Sequence, residues 1–182
     1  RMHPETARRA LEAFPAARML DPFLGSGTTA LEAVRRGIRF TGLDVSRVAL
    51  EVAWTRTRVL TPQECRRVEH AGHRLAGRGL SLRDEPDTST VPDREWYSQH
   101  TLQEILLLKY LIDGESGDLR RILTCVLSSL LVELSRQVSE SVPKKDMQFR
   151  PRPHGTTFRW FRDKCSELAR GYRFLSDNLR RG

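Results

Sequence analysis

The chain has 182 residues, 38% hydrophobic and 30% charged, with a formal net charge of +8 and a pI near 10.1. That length suits one large domain, or a domain with a sizeable insertion, able to bury a core. The absence of any run of about 18 apolar residues excludes a membrane-spanning helix, and three dispersed cysteines (Cys65, Cys125, Cys165) exclude a disulfide framework or a CxxC zinc site.

Residues 4–14, PETARRALEAF, place Ala7, Leu11 and Phe14 at helical spacing, and Pro15 stops that helix. Residues 17–23 (ARMLDPF) read as a short buried strand. A second helix follows over 28–36, with Gly37 as its C-cap. Residues 38–44 form a second strand ending in an acid, and Ser46 opens a helix over 46–60. Strand, glycine turn, helix, strand and helix in this order predict parallel pairing. The expected fold class is α/β, a partial doubly wound, Rossmann-like βαβ unit followed by a mainly helical region.

The expected organisation is a cofactor-binding part over 1–72, a linker or mobile loop over 73–96, rich in Gly, Pro, Ser, Thr and acids, and a helical region over 97–182. In the last region Thr101 and Glu104 have capping-box spacing, and Asp118 can cap the helix beginning at Leu119. Residues 142–157, basic and proline-containing, read as an irregular loop. From about Thr157, Phe158, Phe161, Cys165, Leu168, Tyr172, Leu175 and Leu179 alternate in steps of three and four. Such a seam is a core face packed on the preceding helix or, alternatively, a dimerising coiled coil.

Charge is unevenly distributed. Bases exceed acids by four in residues 1–60 and by seven in 143–182, whereas acids exceed bases by three between them. Only four of the 31 bases are lysines, an arginine bias that a GC-rich genome also produces. Lys144, Lys145, Arg150 and Arg152 in the basic loop are candidate phosphate contacts. His70 and His73 share a helical face, but no cysteine or carboxylate set completes a ligand shell, so no metal is expected.

Gly25-Ser26-Gly27-Thr28-Thr29-Ala30 fits GxGxxG/A between a strand and a helix, and Asp44 follows at the end of the next strand. Glycines allow positive φ and a close approach of backbone to ligand. An acid at the second strand end can accept both hydroxyls of an adenosine ribose. No GxxxxGK[ST] occurs, which excludes a P-loop. Asp21 would repel a dinucleotide's pyrophosphate but can orient an ammonium, and Ser26, Thr28 and Thr29 can serve a carboxylate. The candidate cofactor is therefore S-adenosylmethionine, with Asp21, Phe23, Gly25, Ser26, Gly27, Thr28 and Asp44 as its contacts.

The stretch LDPFLGSGTTALEAVRRGIRFTGLDVSRVALEVAWTR resembles the cofactor-binding motifs of the amino-group DNA methyltransferases, which make N6-methyladenine or N4-methylcytosine. DPFLGSGTT is similar to their motif I, and Asp44 falls on the acid of motif II. MHPETARRALEAF resembles the helix before motif I in permuted members, and WYSQHTLQEILLLKYLI looks like a helical insertion of some bacterial members. The resemblance covers roughly residues 2–58. It implies a Rossmann-like sheet, S-adenosylmethionine, a DNA partner with a flipped base, and a restriction-modification setting, while the dispersed cysteines suit a reducing, cytoplasmic chain.

The family works with a [DNS]PP[YF] tetrapeptide, yet no two of the nine prolines here are adjacent. Three expectations follow: a fragment, which Arg1 and the Arg-Arg-Gly end suggest, a subunit completed by a second chain, or a degenerate fold kept for binding. In each case the chain alone binds cofactor and methylates nothing. Other function classes stay open. One is a non-catalytic nucleic-acid-binding or assembly subunit, another an RNA methyltransferase, and a third a dinucleotide oxidoreductase.

Overall fold

The computed structural model describes residues 3–82, 85–139, 142–145 and 149–179, with only the backbone described at 138, 139, 142–145 and 178. The chain is mixed α/β and mostly helical. It divides into two compact units, residues 1–65 with 170–182, and residues 66–169.

The first unit begins with α1 (Pro4–Ala13), where Pro4 presets the first turn and the His3 side chain accepts the Glu5 N–H. Ala7 and Leu11 are buried, but Phe14 is 78% exposed, because it ends the helix as its C-cap instead of extending the apolar face. Strands β1 (Arg18–Asp21) and β2 (Arg39–Gly42) pair in parallel as expected, with Arg18 opposite Arg39 and Asp21 opposite Gly42. Both are shorter than the apolar runs that announce them. Met19 and Phe40 turn inward, while Leu20 on the other face stays 61% exposed. The parallel sheet among the described residues has these two strands, and the face that carries Leu20 is open.

Helix α2 (Thr28–Arg35) follows β1, and α3 (Arg47–Thr57) follows β2, capped by the Ser46 hydroxyl accepting the Ala49 N–H. Glu32 is buried on α2 and compensated by Arg35 at 2.6 Å and Arg36 at 2.9 Å. The Tyr172 hydroxyl donates to the Thr55 carbonyl and that of Ser176 to the Leu60 carbonyl, both at 2.7 Å, which fastens residues 172–176 into this unit.

The expected linker is corrected at its start: α4 (Pro62–Ser81) is a 20-residue helix. Its N-terminus carries a capping box, in which Thr61 N–H donates to Glu64 and Glu64 N–H to the Thr61 hydroxyl. Val68, Ala71, Leu75 and Ala76 are buried at helical spacing. Gly72 and Gly79, which read as breakers, are contact points instead: an added Cβ would stand 2.4 Å from Cys165 Cβ and 2.2 Å from Phe158 Cε1.

The rest of the second unit contains a 3-10 turn (Arg94–Trp96), α5 (Gln99–Asp113), α6 (Gly117–Leu134) and α7 (Thr156–Leu179), the last running on into the first unit. Leu75, Leu108, Leu123, Leu130, Leu134 and Phe161 form the centre of its core. The first part of the seam on α7, Phe158, Phe161 and Cys165, is buried in this core, with Phe158 and Cys165 against Gly79 and Gly72 of α4, as a core face requires. Burial pushes the Cys165 thiol up to about 12.

Three further expectations change. Residues 142–145 are not irregular loop but β4 (Val142–Lys145), antiparallel to β3 (Gln137–Ser139). Thr101 does not start a helix, since Ser98 is the N-cap of α5 and Thr101 sits buried against its hydroxyl at 2.7 Å. Ser116, not Asp118, is the N-cap of α6.

Candidate functional site

The C-terminal ends of β1 and β2 gather the residues expected to hold a cofactor. Asp21 is the last residue of β1, and β-type bonding continues past it: Leu43 N–H donates to the Asp21 carbonyl at 2.8 Å and Leu24 N–H to that of Leu43 at 2.9 Å. This holds the glycine loop beside Asp44. The Asp44 carboxylate then closes the site, Oδ2 accepting the Gly25 N–H at 2.7 Å and Oδ1 the Ser46 N–H at 2.8 Å. Those two backbone bonds, Ser46 first and Gly25 second, hold the Asp44 carboxyl below its ordinary pKa, so it is an anion at neutral pH. Each oxygen keeps a second acceptor position.

Asp21 is half-buried. Its Oδ1 accepts the Phe23 N–H at 2.9 Å, and Oδ2 has no partner among the described residues. The Asx turn this makes thrusts the Phe23 ring out, 87% exposed, next to the loop.

The two glycines of the loop do different work. Gly25 (φ +52°) has nothing nearer than the Phe23 carbonyl at 4.0 Å from a Cβ position, so its face is open to an incoming group. Gly27 (φ +75°) is buried, and a Cβ there would meet Ala53 Cβ at 2.8 Å and Cα at 3.0 Å. Gly27 therefore serves the packing of α2 on α3, where close ligand approach was expected. It is also the N-cap of α2, with no side-chain cap bond, so the helix presents its positive end at Thr28.

Arg56, absent from the sequence expectations, reaches the loop from α3. Its Nη1 donates to the Ser26 carbonyl at 2.8 Å and to the Ser26 hydroxyl at 3.2 Å. Arg56 lies one turn beyond Ala53 on the α3 face that meets the loop, a face that only the packing of α3 reveals. Ser26 is thus engaged toward α3 while its hydroxyl proton stays available. Asp21, Phe23, Gly25, Ser26, Thr28 and Asp44 are gathered around one turn, chemically a pair of carboxylates, one cation, a helix N-terminus and an exposed aromatic ring.

The candidate phosphate contacts are less gathered. Lys144 and Lys145 lie on β4, and their side chains fall outside the described residues. Arg150 and Arg152 are exposed; the Arg152 guanidinium stands 5.2 Å over the Trp160 ring, and its carbonyl accepts from His100 Nε2 at 2.7 Å.

A cleft of about 480 Å³ in the second unit is lined by Leu80, His100, Gln103, His154 and Phe158 among others. Its floor includes the buried carboxylate of Glu104, which accepts the N–H groups of Gly155 (2.6 Å) and Thr157 (3.2 Å) and so caps α7 from α5. Among the described residues no group of three His, Cys, Asp or Glu side chains could hold a metal ion, and no helix is long and apolar enough to cross a membrane.

Comparisons of the chain with protein-family models, with curated proteins and with solved structures find no match.

Proposed function

We propose that the chain is the S-adenosylmethionine-binding part of a DNA methyltransferase acting on the exocyclic amine of adenine or cytosine, with the [DNS]PP[YF] element supplied by another segment or a second chain. The observation that carries this reading is the closure of the DPFLGSGTT turn by Asp44, which puts the motif residues at the ends of two parallel strands. Ligands of α/β sheets bind at such strand ends.

The residues fit the cofactor. Asp44 is ionised and has acceptor positions left for the two ribose hydroxyls. Asp21 Oδ2 can take the methionine ammonium. The uncapped N-terminus of α2 at Thr28 suits the methionine carboxylate, and Phe23 offers a ring for the adenine. S-adenosylmethionine supplies an activated methyl group, and the chain's residues orient it. The same uncapped helix end would also suit a phosphate, which keeps a dinucleotide as the competing ligand.

The open sheet face at Leu20 and the exposed Leu43 (55%) support completion of the site by further polypeptide. The test is photo-crosslinking with radiolabelled S-adenosylmethionine beside a methyl-transfer assay on DNA. Labelling within residues 21–44 without transfer is the expected result. Robust transfer by this chain alone would overturn the divided active site, and absence of labelling would overturn the cofactor.

A further inference from the structure

Helix α4 has a surface of its own. Its inner face is held against α7 by Gly72 and Gly79, so its rotation about its own axis is fixed. At 100° per residue the outer face then presents Arg66, Arg67, His70, Arg74 and Arg78, all exposed. Some exposed bases elsewhere meet carboxylates, as where Arg8 and Arg9 share Glu5 and Lys109 and Arg120 share Asp113, and others, Arg18, Arg39, Arg47 and Arg170, have no ion-pair partner among the described residues; α4 differs in lining its bases up along one helix face. On α4, Arg74 pairs with Glu115 at 2.7 Å, whereas Arg66, Arg67 and Arg78 have no ion-pair or hydrogen-bond partner among the described residues.

Like charges at i and i+4, as at Arg74 and Arg78, repel and weaken a helix. A guanidinium presents a planar fork that matches phosphate oxygens. The arginines from 66 to 78 extend about 18 Å along the helix at 1.5 Å per residue. That length covers several phosphates of one strand, which follow each other every 3.4 Å along a duplex axis.

We propose that the outer face of α4 is a docking surface for the phosphate backbone of duplex DNA. The choice of DNA over RNA rests on the methyltransferase reading, and the charge argument does not. Such contacts fix position and register without reading sequence. They lie apart from the lysines and arginines of residues 144–152 singled out in the sequence.

The test is fluorescence anisotropy of a labelled 20-base-pair duplex with the full chain between 50 and 200 mM salt. The triple variant Arg66→Gln, Arg67→Gln, Arg78→Gln is compared with Arg8→Gln, Arg9→Gln, Arg120→Gln, which removes three exposed bases that are already paired. At 50 mM salt the α4 variant is expected to bind at least about tenfold more weakly, with a log–log salt slope smaller by about 2–3, near 0.9 per lost phosphate contact. The control is expected to change by less than about twofold. Each single α4 variant, expected to lower the slope by about 1, serves if circular dichroism shows that the triple variant does not fold. Equal losses in the two triples, an unchanged slope, or no duplex binding by the wild-type chain would overturn the surface. About tenfold preference for single-stranded RNA, or retention by an acidic peptide with no nucleic-acid binding, would overturn DNA as its partner. Cofactor titration of the same wild-type sample is a separate readout: its failure sinks the methyltransferase reading and leaves the salt slopes standing.

Discussion

Asp44 binds Gly25 across the ends of two parallel strands, its Oδ2 accepting the Gly25 N–H at 2.7 Å. One carboxylate thus shapes the loop and faces the ligand that the loop is proposed to hold. Asp44→Ala is expected to weaken S-adenosylmethionine binding about ten- to a hundredfold, the usual range for hydrogen bonds to a charged group. Asp44→Asn should lie between it and wild type. Calorimetric titration of the three proteins checks the order, and equal affinities would remove Asp44 from the site.

The same residue sets a pH dependence. Its carboxyl is held below the ordinary value by the Ser46 and Gly25 amides. The ionised form therefore supports the loop fully above the unfolded-chain pKa, near 4, and this support is lost as pH falls through the lower folded value. Cofactor affinity should be level from pH 7 to about 5 and fall in stronger acid. A fall already complete at pH 6 would point to another group.

Gly27 and Gly25 separate packing from binding. Gly27→Ala forces φ +75° on a residue with a Cβ and drives it into Ala53, which should destabilise the first unit by about 2–4 kcal/mol. Gly25→Ala meets open space and should cost only about 1 kcal/mol, the ordinary penalty of the left-handed region. It should nonetheless lose cofactor affinity. Urea denaturation beside ligand titration distinguishes the two variants.

Helix α4 gives a second paired test. Gly77 is exposed with nothing within 4 Å of a Cβ, so Gly77→Ala should stabilise by about 0.5–1 kcal/mol through helix propensity. Gly72→Ala gains the same propensity but places its methyl 2.4 Å from Cys165 Cβ, for a net loss of about 1–2 kcal/mol. Thermal unfolding should move in opposite directions. Stabilisation by both would mean that α4 does not pack on α7 through this glycine.

Glu104 is the buried carboxylate on which the start of α7 depends. Glu104→Ala leaves the Gly155 and Thr157 N–H groups without their acceptor, at a cost of about 2–4 kcal/mol, and Glu104→Gln should lose roughly half of that. Chemical denaturation measures both.

These glycines and carboxylates also show what the sequence could disclose. The order of elements up to residue 57 was legible because each carries its own local signal, such as Pro4 at a helix start, Ser46 as a cap, and apolar runs ending in acids. Helix α4 was hidden because its buried positions are small and its Gly72 and Gly79 look like turns; only a partner helix reveals them as contact points. Thr101 and Glu104 have the spacing of a capping box, but tertiary structure gives Glu104 to another helix. The genuine box, Thr61 and Glu64, precedes a stretch with too few large apolar residues to announce a helix. At the candidate site, Asp21, the glycine turn and Asp44 were readable from spacing. Arg56 was not, because a contact across 30 residues depends on how α3 lies against the loop.

On the proposed reading, the turn closed by Asp44 holds S-adenosylmethionine. Isothermal titration calorimetry of the purified chain with S-adenosylmethionine, with NADH as the control, tests it most directly. Saturable binding of S-adenosylmethionine, weakened by Asp44→Ala, with no heat from NADH, is the expected result. Binding of NADH in its place would contradict it.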